Sequence, residues 1–234
     1  MQTKTSMSRV FNRRRVAAAL GRLCLSGWLL GGGGLGCEYE AYDGSLAALG
    51  AIHVHLSAID QSQVRRASGF LISDDGLFVT VAHLFAEGVN PPKTQILYYD
   101  GVEHATFTDG ARLLYINHER DIAFLIDEDA PITHYNLCDE DLSVFDEVTI
   151  ASGIIDKTGH YNHRVYINTG SIIGTTVTRW TSTVNGAYGR SGSPLFRGDC
   201  VAGMLVTMAR PHGRYTRGIK ARTIAAIAKG LKNV

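Results

Sequence analysis

The sequence predicts an all-β protein that ends in a single helix. Short apolar runs recur at close spacing along most of the chain, the pattern of a barrel or a sandwich. Asp75-Gly76 stands between two such runs as a two-residue hairpin signal. Sustained helical periodicity comes only near the end, where residues 223–231 carry Ile224, Ile227, Ala228 and Leu231 on one face. With 234 residues, 45% of them hydrophobic, the chain can bury a core for one domain of this class.

Residues 51–56 alternate cleanly, which turns Ile52, Val54 and Leu56 toward a core. His53 and His55 then share the other face, read as a solvated strand face rather than a metal pair. Residues 68–72 and 77–82 form the arms of the hairpin, and Asn90-Pro91-Pro92 is a loop. Runs at 94–99, 104–108, 111–116 and 122–126 complete a first barrel. A polar link spans 127–141, with Pro131 inside it. Strands at 147–153, 164–168, 171–178 and 200–208 make the second half, and the helix follows at 223–232. His160 and His163 are turn residues, and no Cys/His cluster has zinc-site spacing, so no metal or cofactor is expected.

The formal charge of +1 hides an asymmetry. Residues 1–37 hold six basic residues and no acidic one, leaving 17 basic against 22 acidic residues, net −5, for the rest. The positive excess is confined to the leader, which argues against nucleic acid as a partner. Arg13-Arg14-Arg15 ends a basic segment, and an apolar, small-residue run leads from it to Gly36 and Cys37, as in a secretory signal. Leu35-Gly36-Cys37 resembles a lipoprotein cleavage site, although Gly34 stands where an apolar residue is usual. Arg22 and the glycines at 31–34 make a poor transmembrane helix of a run just long enough to span a bilayer. Signal peptide, lipoprotein leader and membrane anchor are thus three alternatives for 1–37. Residues 38–47 read as a linker and 48–234 as the folded domain. Export is expected, to the medium, the periplasm or a lipid-anchored place at the cell envelope, with any membrane association made through the leader.

The chemistry concentrates in Gly189-Arg190-Ser191-Gly192-Ser193-Pro194. A serine between glycines, followed by Ser-Pro and apolar residues, reads as a tight loop feeding a buried strand. Acyl transfer needs such an exposed hydroxyl, with backbone N–H groups aimed at the developing oxyanion. A base and an orienting acid lie upstream. His83 ends the apolar run 77–82, and Asp121 opens the run 122–126. His118 is a rival base, but no apolar strand leads into it and it sits too near Asp121 in sequence.

Thr80-Val81-Ala82-His83 resembles the Thr-Ala-Ala-His of trypsin-like serine proteases. Asp121-Ile122-Ala123-Phe124-Leu125 resembles their Asp-Ile-Ala-Leu-Leu, and the serine loop their Gly-Asp-Ser-Gly-Gly-Pro. The order His, Asp, Ser is that of the chymotrypsin-like fold. The resemblance covers roughly residues 48–232. It implies two six-stranded antiparallel β-barrels of the chymotrypsin type, at about 48–127 and 142–222, with the C-terminal helix after a strand that includes Arg217-Gly218-Ile219-Lys220. It further implies a serine endopeptidase that hydrolyses peptide bonds of a protein or peptide through an acyl-enzyme. Ser191 would be the nucleophile, His83 the general base and then acid, and Asp121 the group that fixes the imidazole tautomer. The N–H groups of Gly189 and Ser191 would form the oxyanion hole. Asn185 would floor the S1 pocket, with Val206, Thr207, Met208 and Gly218 on its walls, for a neutral or apolar P1 residue.

Two departures matter. Arg190 stands where trypsin has an aspartate that pairs with a newly cut N-terminus, so activation by clipping is not expected. Ser193 replaces a glycine, as in the glutamyl endopeptidases, yet the strand 203–208 lacks the histidine on which their glutamate preference relies. Cys24 and Cys37 fall in the leader, leaving Cys138 and Cys200. An exported pair can form a disulfide, but neither stands where a familiar bridge of the family would. The reading adopted is two free, partly buried thiols. The rival function is a catalytically inactive binding module on a protease fold, which a complete His/Asp/Ser set disfavours. A viral or phage processing protease with a membrane leader is a third reading. No second domain such as PDZ is visible, and a monomer is expected.

Overall fold

The computed structural model describes residues 48–55, 64–85, 91, 93–99, 105–155, 161–187, 189–209 and 215–231. The leader and linker expectations, His160, and the side chains of His53, His55 and His163 lie outside what is described.

Seven strands build the first sheet: β1 (Leu49–His55), β2 (Val64–Leu71), β3 (Leu77–Thr80), β4 (Lys93–Tyr99), β5 (Ala105–Thr108), β6 (Arg112–Asn117) and β7 (Ile122–Ile126). All pair antiparallel, in the order β5-β4-β1-β2-β3-β7-β6. The family resemblance implies six strands closed into a barrel; among the described residues the sheet has seven and does not close. Its two edges, β5 and β6, are joined only by residues 109–111. A connection that short spans roughly 13 Å at most, so the sheet must curl until its edges lie near each other. The result is a half-barrel.

The second sheet is a closed barrel of β8 (Glu147–Ile155), β9 (Tyr161–Thr175), β10 (Arg179–Ser182), β11 (Pro194–Arg197), β12 (Cys200–Ala209) and β13 (Tyr215–Lys220), ordered β10-β13-β12-β11-β8-β9. Helix α1 (Ala221–Leu231) follows β13 directly and buries Ile224 and Ala228. The runs read as separate strands at 164–168 and 171–178 are one long β9, and β10 is a strand of its own. Gly170, which looks like a break in the sequence, is a close approach instead. A Cβ there would come within 2.8 Å of the Val184 main chain.

The position of the core explains the sequence of β12. Val201, Met204 and Val206 join the core of the half-barrel, while Ala202 and Leu205 enter the interior of the closed barrel. A strand buried on both faces reads as one apolar run, and 201–206 is such a run. Trp180, 1% exposed, fills the closed barrel. Its ring lies so near Gly203 and Gly218 that a Cβ would fall 2.4 and 2.2 Å from it, and Nε1 donates to the Ile219 carbonyl at 3.0 Å.

The link between the two sheets is not the simple polar tether that its sequence suggests. Asp127 is buried and accepts from the hydroxyls of Tyr98 and Thr108. Tyr135 packs against Phe70 of one sheet and Phe196 of the other. Leu137 then runs parallel to β12 at Val201, with Cys138 N–H donating to the Val201 carbonyl at 2.9 Å. This bridge brings Cys138 beside Cys200, Cα to Cα 5.2 Å, and the two form a disulfide. The expectation of free thiols is therefore corrected. Sequence gave no hint of the parallel bridge that aligns residues 62 apart. Beyond it, Arg197 clasps the link by donating to Asp146 and Glu140, and Lys220 and Arg222 both bond Asp141.

Candidate functional site

His83 and Asp121 come together from two turns of the half-barrel. β3 leaves the sheet at Val81, and Ala82–Leu84 form one 3-10 turn that buries Ala82 and Leu84. His83, between them, is left half exposed. Asp121 closes the loop between β6 and β7. Within that loop the Asn117 side chain accepts from Arg120 N–H at 2.8 Å, and Asp121 takes φ 57. A left-handed residue other than glycine is disfavoured by roughly 1 kcal/mol or more, and aspartate is among the types that tolerate it. From the second barrel, Arg179 of β10 donates to the Glu119 and Arg120 carbonyls and holds the loop from below.

The Asp121 carboxylate grips His83 twice. Oδ2 meets the ring Nδ1 at 2.8 Å, and Oδ1 accepts the His83 main-chain N–H at 2.9 Å. Burial pushes the Asp121 carboxyl up, but the hydrogen bonds from the His83 ring and from the His83 and Ala82 N–H groups, with the attraction of the imidazole, hold it below the ordinary carboxylate range. An ionised acceptor at Nδ1 selects the tautomer with the proton on that nitrogen and leaves Nε2 free to take one. On the far side, Arg65 Nη1 donates to the His83 carbonyl at 2.9 Å.

The Ser191 loop reaches the half-barrel through Ser68 of β2. Ser68 N–H donates to the Ser191 carbonyl at 2.8 Å, and its Oγ donates to the Gly189 carbonyl at 2.9 Å. The Ser68 carbonyl in turn accepts from Thr80 Oγ1 at 2.7 Å, three residues before His83. Gly192, at φ 87, is what permits the approach: a Cβ would sit 1.9 Å from the Ser68 oxygen. Behind the loop, Gly192 N–H bonds the Leu205 carbonyl and Ser193 Oγ bonds Ser152, both buried attachments to the second barrel. The N–H groups of Gly189 and Ser191 have no partner among the described residues.

The predicted pocket residues fall in two groups. Asn185 is exposed, donating its N–H to Asn168 Oδ1 and accepting from Arg190 Nη1. Val206 is buried and Thr207 exposed on β12, opposite Arg217; the Met208 side chain is outside what is described. Gly218 faces the Trp180 ring and the Met204 carbonyl in the barrel interior. Arg190 lies over the Tyr166 ring, 3.9 Å from its centroid. Among the described residues no cluster of three or more His, Cys, Asp or Glu side chains could hold a metal.

Residues 67–205, more than half of the chain, match the family model of the trypsin-like peptidase domain. The chain belongs to the trypsin-like peptidase family. Solved structures of family folds superpose on it at low identity. The Rv3671c protease of M. tuberculosis in its active form gives TM-score 0.64 at 17% identity, covering 78% of this chain and 79% of that one. A serine endoprotease of Yersinia pestis gives 0.65 at 14%, covering 82% and 64%. An inactive serine-to-alanine form of the M. tuberculosis protease gives 0.63 at 14%, covering 81% and 89%. No curated protein matches the chain. Relative to the motifs of this trypsin-like peptidase, sequence reading missed Ser68, Arg179 and Tyr166, and it quoted Thr80 only as the first residue of the motif that ends at His83.

Proposed function

We propose that the protein is a serine endopeptidase acting on a protein or peptide substrate. The carrying observation is the double hold of the Asp121 carboxylate on His83, 2.8 Å at Nδ1 and 2.9 Å at the main-chain N–H. In this reading the Ser191 hydroxyl attacks the scissile carbonyl carbon while its proton passes to His83 Nε2. The oxyanion is held by the N–H groups of Gly189 and Ser191, each donor contributing about 3 kcal/mol to the transition state. Collapse breaks the C–N bond, and His83 returns the proton to the leaving amine. Water, deprotonated by the same imidazole, then hydrolyses the ester and regenerates Ser191. Asn185 and Thr207, the exposed members of the predicted set, border the P1 side chain; both are uncharged, which favours a neutral P1 residue.

The protein works as an exported monomer, tethered or released according to the fate of residues 1–37. The Cys138–Cys200 disulfide supports export, since such bonds persist in oxidising compartments. A fluorophosphonate probe tests the mechanism. The wild type should be labelled on Ser191 and Ser191→Ala should not; labelling retained in the variant would displace Ser191. A wild type that resists labelling would leave the fold as a binding module.

A further inference from the structure

Arg190 sits between the two proposed oxyanion donors, and its surroundings assign it a task that the proposed mechanism does not itself use. Among the described residues, the loop around it is held by different kinds of bond on its two sides. From Ser191 onward every station is fixed by main-chain bonds: Ser191 O to Ser68 N–H, Gly192 N–H to Leu205 O, Ser193 N–H to Arg190 O, and Leu205 N–H to Ser193 O. The limb before it, of which residues 185–187 and 189 are described, enters with Asn185 N–H on Asn168 and ends with the Gly189 carbonyl on Ser68. Between those points, among the described residues, it has a long Arg190 N–H to Ala187 O bond of 3.3 Å and the Arg190 guanidinium on the Asn185 carbonyl at 2.9 Å. The guanidinium is fixed in its own turn by the Tyr166 ring of β9 beneath it. A planar cation on an aromatic face, with its N–H groups left free at the edge, is well suited to holding a carbonyl in place.

We propose that Arg190 is a positioning residue that clamps the 185–189 limb between Asn185 and Tyr166, so that the Gly189 N–H stays aimed at the oxyanion without help from a partner or a cleaved terminus. The role rests on the serine-peptidase reading above. Arginine keeps its charge even where burial lowers its basicity, as it does here, so the clamp is permanent rather than pH-gated.

The test compares wild type with Arg190→Ala, Arg190→Lys and Tyr166→Leu, by peptide hydrolysis and by hydrogen exchange read on mass-resolved segments. Loosening one of two donors should lower kcat for Arg190→Ala on the order of 10- to 100-fold while KM moves by less than about threefold. Arg190→Lys, which can still reach a carbonyl from above the ring, should recover most of the loss, and Tyr166→Leu should reproduce part of it. Exchange should quicken in 185–189 and stay unchanged in 191–193 for Arg190→Ala. Unchanged exchange in 185–189 overturns the clamp, whether or not the wild type hydrolyses peptides. So does a kcat equal to wild type, or a loss that Lys fails to restore. A wild type that no fluorophosphonate labels refutes the peptidase reading alone, because the exchange comparison still decides the clamp.

Discussion

At the residue scale the site depends on one carboxylate held below its usual pKa. Folding lowers the Asp121 pKa from about 3.9 in the unfolded chain. Its contribution to stability is therefore complete above that value and is lost as pH falls through the folded one. The stability difference between wild type and Asp121→Asn, measured by urea unfolding, should shrink as pH falls below about 4. A gap that stays constant down to pH 2 would mean that the His83 contacts do not stabilise the ionised form. His83 and Asp121 could be singled out in sequence because one ends and the other opens an apolar run, and Ser191 because glycines stand around it; the structure brings His83 and Asp121 into contact. Ser68 could not be singled out, because its hydroxyl bonds a carbonyl 121 residues away, and nothing local to a serine in an apolar strand announces such a partner.

At the scale of elements, the closed barrel is organised by Trp180 and the two glycines that admit it. Trp180→Phe would shorten the ring and leave the Ile219 carbonyl without its indole donor in a buried place. A void plus an unsatisfied acceptor should destabilise by about 2–4 kcal/mol. The denaturant midpoint should fall accordingly, and an unchanged midpoint would show that the barrel repacks around the smaller ring. Strands and the terminal helix were readable from apolar period and hairpin chemistry. β10 was not, since Arg179–Ser182 carries one aromatic residue among polar ones. The run of β9 was divided at 168–171 because sequence cannot tell a turn from the crowded crossing at Gly170. Gly218 was assigned to the substrate pocket by likeness; a Cβ there would meet the Trp180 ring and the Met204 carbonyl, which is why glycine is needed at this point of β13.

For the whole molecule, the link between the sheets is a built element. It sets Tyr135 against Phe70 of one sheet and Phe196 of the other, runs along β12 and is fastened by Cys138–Cys200 across 62 residues. Closing a loop of that length restricts the unfolded chain, and loss of such a bond typically costs about 2–4 kcal/mol. The double variant Cys138→Ser/Cys200→Ser should melt lower by that amount in calorimetry, and reductant should lower the wild type but not the variant. Equal melting of both proteins would show that the bond constrains nothing. Its existence followed from the path of the link, which composition does not encode.

The contacts of Ser68 reach further than the loop they hold. A single strand residue supplies both an amide and a hydroxyl to the opposite half of the protein, with a third bond returning toward His83. Swinging the halves apart like jaws would rupture the first two at once, while the third, from Thr80 to the Ser68 carbonyl, lies within the first sheet and would persist. Ser68 thus ties the Ser191 loop to the strands that carry His83. Spin labels placed one on each half should accordingly report a single, narrow separation, with or without added peptide.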